Sequence, residues 1–165
     1  GVSEYARACA EAGADALIVP DLPPEESAEL AEALASNGLT LIPLLAPTST
    51  PDRIQSATIG AKGFIYCVSV AGVTGARQDL SLGLPDFIGS VRLSTSLPVA
   101  VGFGVSERRH IDAIGSYADA AVIGSALINA VGEVEDRQVG TVAAEFIRPL
   151  VGVKVTPASG VGDSR

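Results

Sequence analysis

No methionine occurs in the 165 residues, and the chain opens on Gly1. The expectation is that an initiator has been removed or that further sequence lies upstream. A single histidine, His110, is present, so neither a histidine-based metal site nor a Ser-His-Asp triad can be assembled. Its place on a helix that reads as outward-facing makes it a solvated side chain. The two cysteines, Cys9 and Cys67, lack metal-ligand spacing and read as reduced core thiols. The only lysines are Lys62 and Lys154. Lys62 precedes its strand, the wrong end of a sheet for Schiff-base chemistry. Charged residues make up 18% of the chain against 47% hydrophobic, a balance that suits strands buried on both faces and excludes global disorder. No apolar run reaches the roughly 18 residues of a membrane span, and no secretory leader is legible, so a cytoplasmic protein is expected. The formal charge of -8 repels nucleic acid and anionic membranes. A phosphate would have to be held by backbone N–H groups rather than by a basic patch.

What is present is an alternation of helical and strand patterns. Val2, Tyr5, Ala6, Cys9 and Ala10 fall at helical spacing, and Gly13 stops them. Residues 15–20 form a short apolar run of the buried parallel type, followed by Asp21 and a prolyl turn. Pro24 suits a first helical position, with Leu30, Ala31 and Leu34 as the inner stripe and Gly38 as the stop. A second strand is expected over 39–45, and a helix after Thr50-Pro51 with Ile54 inward. The third strand is 63–69. The loop that follows, to residue 83, is long enough to act as a lid. Leu84, Phe87, Ile88 and Val91 predict the next helix. A fourth strand over 97–102 leads to Ser106 as N-cap and to a helix facing inward through Ile111 and Ile114. The fifth strand, 119–123, precedes a short helix from Ser125 and a longer one marked by Val139, Val142, Ala143, Phe146 and Leu150. Residues 1–152 thus read as one folded unit and 153–165 as a flexible tail.

About five strand-and-helix units call for a parallel sheet with helical crossovers, either an open doubly wound domain or part of a (β/α)8 barrel. A helix with no strand before it favours the second: an α/β fold, an incomplete (β/α)8 TIM barrel lacking its first three units. Ligands in either architecture bind at the carboxyl ends of the strands. Three of those ends carry glycines, in the run 69–75, at Gly102-Phe103-Gly104 and at Gly124-Ser125. Gly75, Gly104, Gly124 and Ser125 are therefore candidates for holding a phosphate. Tyr66 and Phe103 are either an apolar wall for an aromatic group or plain core residues. Thr74 is either a lid contact or an ordinary loop threonine. Asp21, read as the one carboxylate at a strand exit, suits a base, an N-cap or a partner contact. The inventory is that of a binding site without its acid/base pair.

Several segments together carry a family resemblance: Leu17-Ile18-Val19-Pro20-Asp21-Leu22-Pro23-Pro24-Glu25-Glu26, Pro43-Leu44-Leu45-Ala46-Pro47-Thr48, Tyr66 with Gly72-Val73-Thr74-Gly75-Ala76-Arg77, the segment 98–104, and Ile123-Gly124-Ser125-Ala126. The chain resembles the tryptophan synthase alpha chain family from its third helix onward. The resemblance implies a lyase that cleaves indole-3-glycerol phosphate by retro-aldol chemistry into indole and glyceraldehyde 3-phosphate, in tryptophan biosynthesis. It also implies a beta-chain partner carrying PLP in an alpha2beta2 assembly, with no cofactor or metal in this chain. Carried over by position, Ile18, Tyr66 and Phe103 border the indole, and Gly75, Gly104, Gly124 and Ser125 hold the phosphate. Thr74 belongs to the lid, and Asp21, Pro23 and Gly72 lie toward the beta chain. The family's catalytic glutamate and its aspartate partner belong to early strands that have no counterpart here, so these residues are expected to bind and not to catalyse. Two alternatives stand beside this reading, a non-catalytic module docking on a beta chain and another phosphate-sugar barrel enzyme.

Overall fold

In the computed structural model, residues 1–69, 83–102, 104–132 and 134–152 are described. Helix α1 (Val2–Glu11) opens the chain, and Gly13, at φ 83°, turns it toward β1 (Ala16–Leu17). That left-handed backbone is one that glycine adopts without a Cβ penalty. A turn closed by the Leu22 N–H on the Val19 carbonyl (3.3 Å) leads to a 3-10 turn, Pro24–Glu26, and then to α2 (Ala28–Ser36). Pro23 occupies the N-cap position of the 3-10 turn, so the N-cap reading of Asp21 fails.

The strand expected over 39–45 is two short ones, β2 (Thr40–Leu41) and β3 (Leu44–Leu45). Pro43 lies between them and has no N–H to give to a ladder. The break also marks a change of neighbour. The Ile42 N–H bonds back to the Leu17 carbonyl (2.8 Å), whereas the Pro43 carbonyl accepts from the Tyr66 N–H (2.9 Å). Helix α3 (Pro51–Thr58) follows, capped by Thr50, whose Oγ1 accepts from the Arg53 N–H at 3.3 Å. Then come β4 (Ile65–Val68), α4 (Leu84–Ser94), β5 (Val99–Gly102), α5 (Arg108–Ile114), β6 (Ala120–Val122), α6 (Ser125–Val131) and α7 (Asp136–Val151). Glu107, and not Ser106, is the N-cap of α5.

All described pairings are parallel, and every paired strand lies beside a neighbour in chain order: β1 with β2, then β3-β4-β5-β6. A doubly wound sheet would reverse direction at a switch point. This one never does, so the strands trace an arc of a (β/α)8 barrel. Among the described residues, β1 and β2 pair only with each other, and β3 and β6 are the edges of the four-stranded sheet.

Alternation along the strands separates two faces. Leu45, Ile65, Cys67, Val99 and Val101 are buried against α4, whose Leu84, Phe87, Ile88 and Val91 sit at i, i+3, i+4 and i+7, with Ile54 of α3 and Ile114 of α5 completing the main core. Burial pushes the Cys67 thiol up to about 12. A smaller cluster of Ala6, Leu34 and Leu39 joins α1, α2 and the start of β2. The opposite face, carrying Leu44, Tyr66, Val68, Ala100, Gly102 and Val122, is the inner face of the arc.

The amino ends of β5 and β6 are tied by Asp119. Its Oδ2 accepts from the Val99 N–H and from Arg92 Nη2, both at 2.8 Å, while the Asp119 N–H returns to the Val99 carbonyl at 2.9 Å. The Val99 N–H, with Arg92 adding to it, holds the Asp119 carboxyl below its ordinary range. Asp119→Ala is expected to cost about 1 kcal/mol in urea unfolding, because the half-exposed Arg92 pair is screened and the backbone bond carries most of the effect. A carboxyl with a lowered folded pKa stabilises fully above the unfolded aspartate range. The difference between wild type and variant should therefore shrink as the pH falls through the lowered value.

Candidate substrate site at the strand exits

Register decides which residues meet at the carboxyl ends. Val68 pairs with Gly102, and Gly102 with Val122. Gly104 and Gly124 each lie two residues beyond a paired position, so the last two strands release their glycine loops at one level. Gly104 takes φ +74°, and among the described residues a Cβ built at either glycine would meet nothing within 4 Å. No described side chain therefore crowds the backbone at either exit. In α6 the first acceptor is the Gly124 carbonyl, reached by the Leu127 N–H at 3.0 Å. The amides from Gly124 to Ala126 thus precede the intrahelical ladder and point outward from it.

Below these loops lies Tyr66. Its ring leans one layer forward along β4 and occupies the space where residue 102 would carry a side chain. A Cβ on Gly102 would fall 2.7 Å from Cζ and 3.0 Å from Cε2, and closer still to the hydroxyl. Gly102 is a glycine because the ring lies against it. Tyr66 is half-buried, and burial raises its hydroxyl above the ordinary range, so it is neutral near pH 7. Ser69, the first residue of the glycine run, is buried and fastened to β5: its N–H donates to the Gly102 carbonyl at 2.9 Å, and its Oγ reaches the same oxygen at 3.4 Å.

The expected site residues are only partly within view. Tyr66 lies on the inner face, with Gly104 and Gly124-Ser125 at the exits above it. Ile18, just past β1, is 42% exposed, and Asp21 is exposed in its turn. Pro23 is half-buried. Gly72, Thr74, Gly75 and Phe103 lie outside the described residues, as do the lid and the segment 153–165.

Three features escaped the sequence reading. The contact of Gly102 with Tyr66 needs tertiary register to appear. Glu107 is a second carboxylate on an exit segment, but Arg109 Nε holds it at 2.8 Å, lowering its carboxyl. Finally, His110 is buried at 5% exposure rather than solvated. Its i, i+4 relation to the inward Ile114 was the available signal. Among the described residues no cluster of histidine, cysteine or carboxylates forms a metal site, and no helix is long and apolar enough to cross a membrane.

A parallel βα arc with Tyr66 on its inner face and glycine exits on its last two described strands defines a chain of the (β/α)8-barrel class, a class whose sites lie at the carboxyl ends of the strands. The family described as "Tryptophan synthase alpha chain" matches residues 1–150, and the chain belongs to it. It is 49% identical over 152 residues to the tryptophan synthase alpha chain of Roseiflexus castenholzii, covering 92% of this chain and 58% of that protein. To the alpha chain of Chloroflexus aurantiacus it is 45% identical over 159 residues, covering 95% and 59%. Among solved structures, the tryptophan synthase a2b2 complex of Pyrococcus furiosus matches with a TM-score of 0.83 at 30% identity, covering 93% of this chain and 62% of that one. A Mycobacterium tuberculosis tryptophan synthase matches with 0.77 at 37% identity, covering 94% and 58%. The chain thus spans somewhat over half the length of the curated relatives it matches.

Proposed function

We propose that these residues form the indole- and phosphate-binding part of an alpha chain that cleaves indole-3-glycerol phosphate to indole and glyceraldehyde 3-phosphate. The observation that carries the reading is the register that releases Gly104 and Gly124-Ser125 side by side above the Tyr66 ring. Backbone amides there suit a phosphate, and the ring with Ile18 and Phe103 suits an indole. Gly75 and Thr74 join from the lid. Asp21, Pro23 and Gly72 face a beta chain, which carries the PLP and takes up the indole. The protein acts in the cytoplasm.

The described exits offer no free pair of carboxylates for proton transfer, since Glu107 is engaged by Arg109. The 165 residues alone are therefore expected to bind and to release no indole. Titration with a non-cleavable indole-alkyl phosphate tests this. Saturable binding is expected, weakened by competing inorganic phosphate and by competing indole, and reduced several-fold in Ser125→Ala. Binding that neither competitor affects would overturn the assignment. Indole release from the substrate by the chain alone would overturn the division between binding and catalysis.

A further inference from the structure

The β5 to α5 loop carries Gly104, and among the described residues its anchors can be named. Val105 is buried in the core at 2% exposure. Glu107, the N-cap of α5, makes no side-chain cap bond to the helix backbone. A further anchor is the histidine. Arg108 and Arg109 turn outward, to Asp112 at 2.7 Å and Glu107 at 2.8 Å, while His110 turns in. Its Nδ1 accepts from the Ser106 N–H at 3.3 Å. The imidazole thus reaches back over one turn and takes the amide that an N-terminal cap would leave unpaired.

We infer that His110 is a positioning residue for the phosphate loop, held as the neutral Nε2–H tautomer with its Nδ1 lone pair clasping Ser106 and so setting the backbone of Gly104 two residues away. An amide can only donate, so Nδ1 must present its lone pair and the ring proton resides on Nε2. Nε2 is buried with no partner among the described residues, so no second bond competes to turn the ring. This role rests on the phosphate reading of Gly104.

The test uses the 165-residue chain with glycerol 3-phosphate as probe and ¹⁵N-detected spectra of the ring near neutral pH. A pyridine-type Nδ1 with protonated Nε2 is expected. Calorimetric affinity should fall about tenfold in His110→Leu, the scale of loss that small misplacements of a binding group bring. It should return to within about twofold in His110→Gln, whose amide oxygen can accept the same N–H. A purely structural histidine would lower thermal stability in both variants without this split in affinity. If His110→Leu does not fold, Ser106→Pro deletes the same N–H with the ring in place and must show the same loss. A protonated Nδ1, or a wild-type affinity in the leucine variant, overturns the role of His110 alone. A wild-type chain that takes no glycerol 3-phosphate, with the ring in the expected tautomer, overturns the phosphate reading and this role with it.

Discussion

Gly102→Ala is expected to destabilise the fold by about 1–3 kcal/mol, the range for overpacking a filled site, and to abolish binding of the indole moiety. Gly102 does not need glycine's backbone freedom, since its φ is not in the left-handed region. Its requirement is steric. The added Cβ would lie 2.7 Å from Tyr66 Cζ, with the hydroxyl nearer, and the ring is held by a paired strand. Either the ring swings out of the inner wall or β5 moves away from β4, and both remove the surface an indole would stack on. Urea unfolding and titration with an indole-alkyl phosphate measure the two effects separately. Gly89→Ala is the control: it lies within α4 with open space around a Cβ, so it should leave stability unchanged or raise it by about 0.5–1 kcal/mol. A double variant with Tyr66→Ala should restore part of the lost stability, giving a coupling above about 0.5 kcal/mol. Independent, additive costs would show that the ring is not what residue 102 meets.

Ile88→Ala should have the largest effect on stability, about 2–5 kcal/mol. Ile88 is fully buried on α4, in the layer of Val99, Val101, Ile65 and Cys67. These are short strands whose neighbours are fixed by their bonding, so the cavity left by the side chain can close only in part. Leu93, five residues on, is 91% exposed. Its replacement by alanine should change stability by no more than about 0.5 kcal/mol. Equal costs at the two positions in chemical unfolding would mean that α4 does not present the face described.

Most helices were legible because their burial follows a period that local sequence displays. The four apolar positions of α4 are all buried, and Gly13, Gly38 and Gly152 end helices at positive φ. Reading fails where a side chain's fate is set by a neighbour far along the chain. The second strand is continuous by hydrophobicity, yet its ladder stops at Pro43, where the partner changes from β1 to β4. Ser106 has good cap chemistry, but the turn places Glu107 at the cap and gives the Ser106 amide to a histidine. His110 reads as solvated because its helix reads as outward-facing, yet its spacing to Ile114 puts it on the buried side.

Local pattern was enough to establish alternating helices and parallel strands, the family, and the glycines at the strand exits, since these rest on periodicity, backbone freedom and residue order. That the strands run in order around an arc and not outward from a switch point could come only from the tertiary structure. So could the level shared by Gly104 and Gly124 and the lodging of the Tyr66 ring against Gly102. Each depends on register, and register is a hydrogen-bond relation between segments some 20 to 35 residues apart that no local pattern encodes.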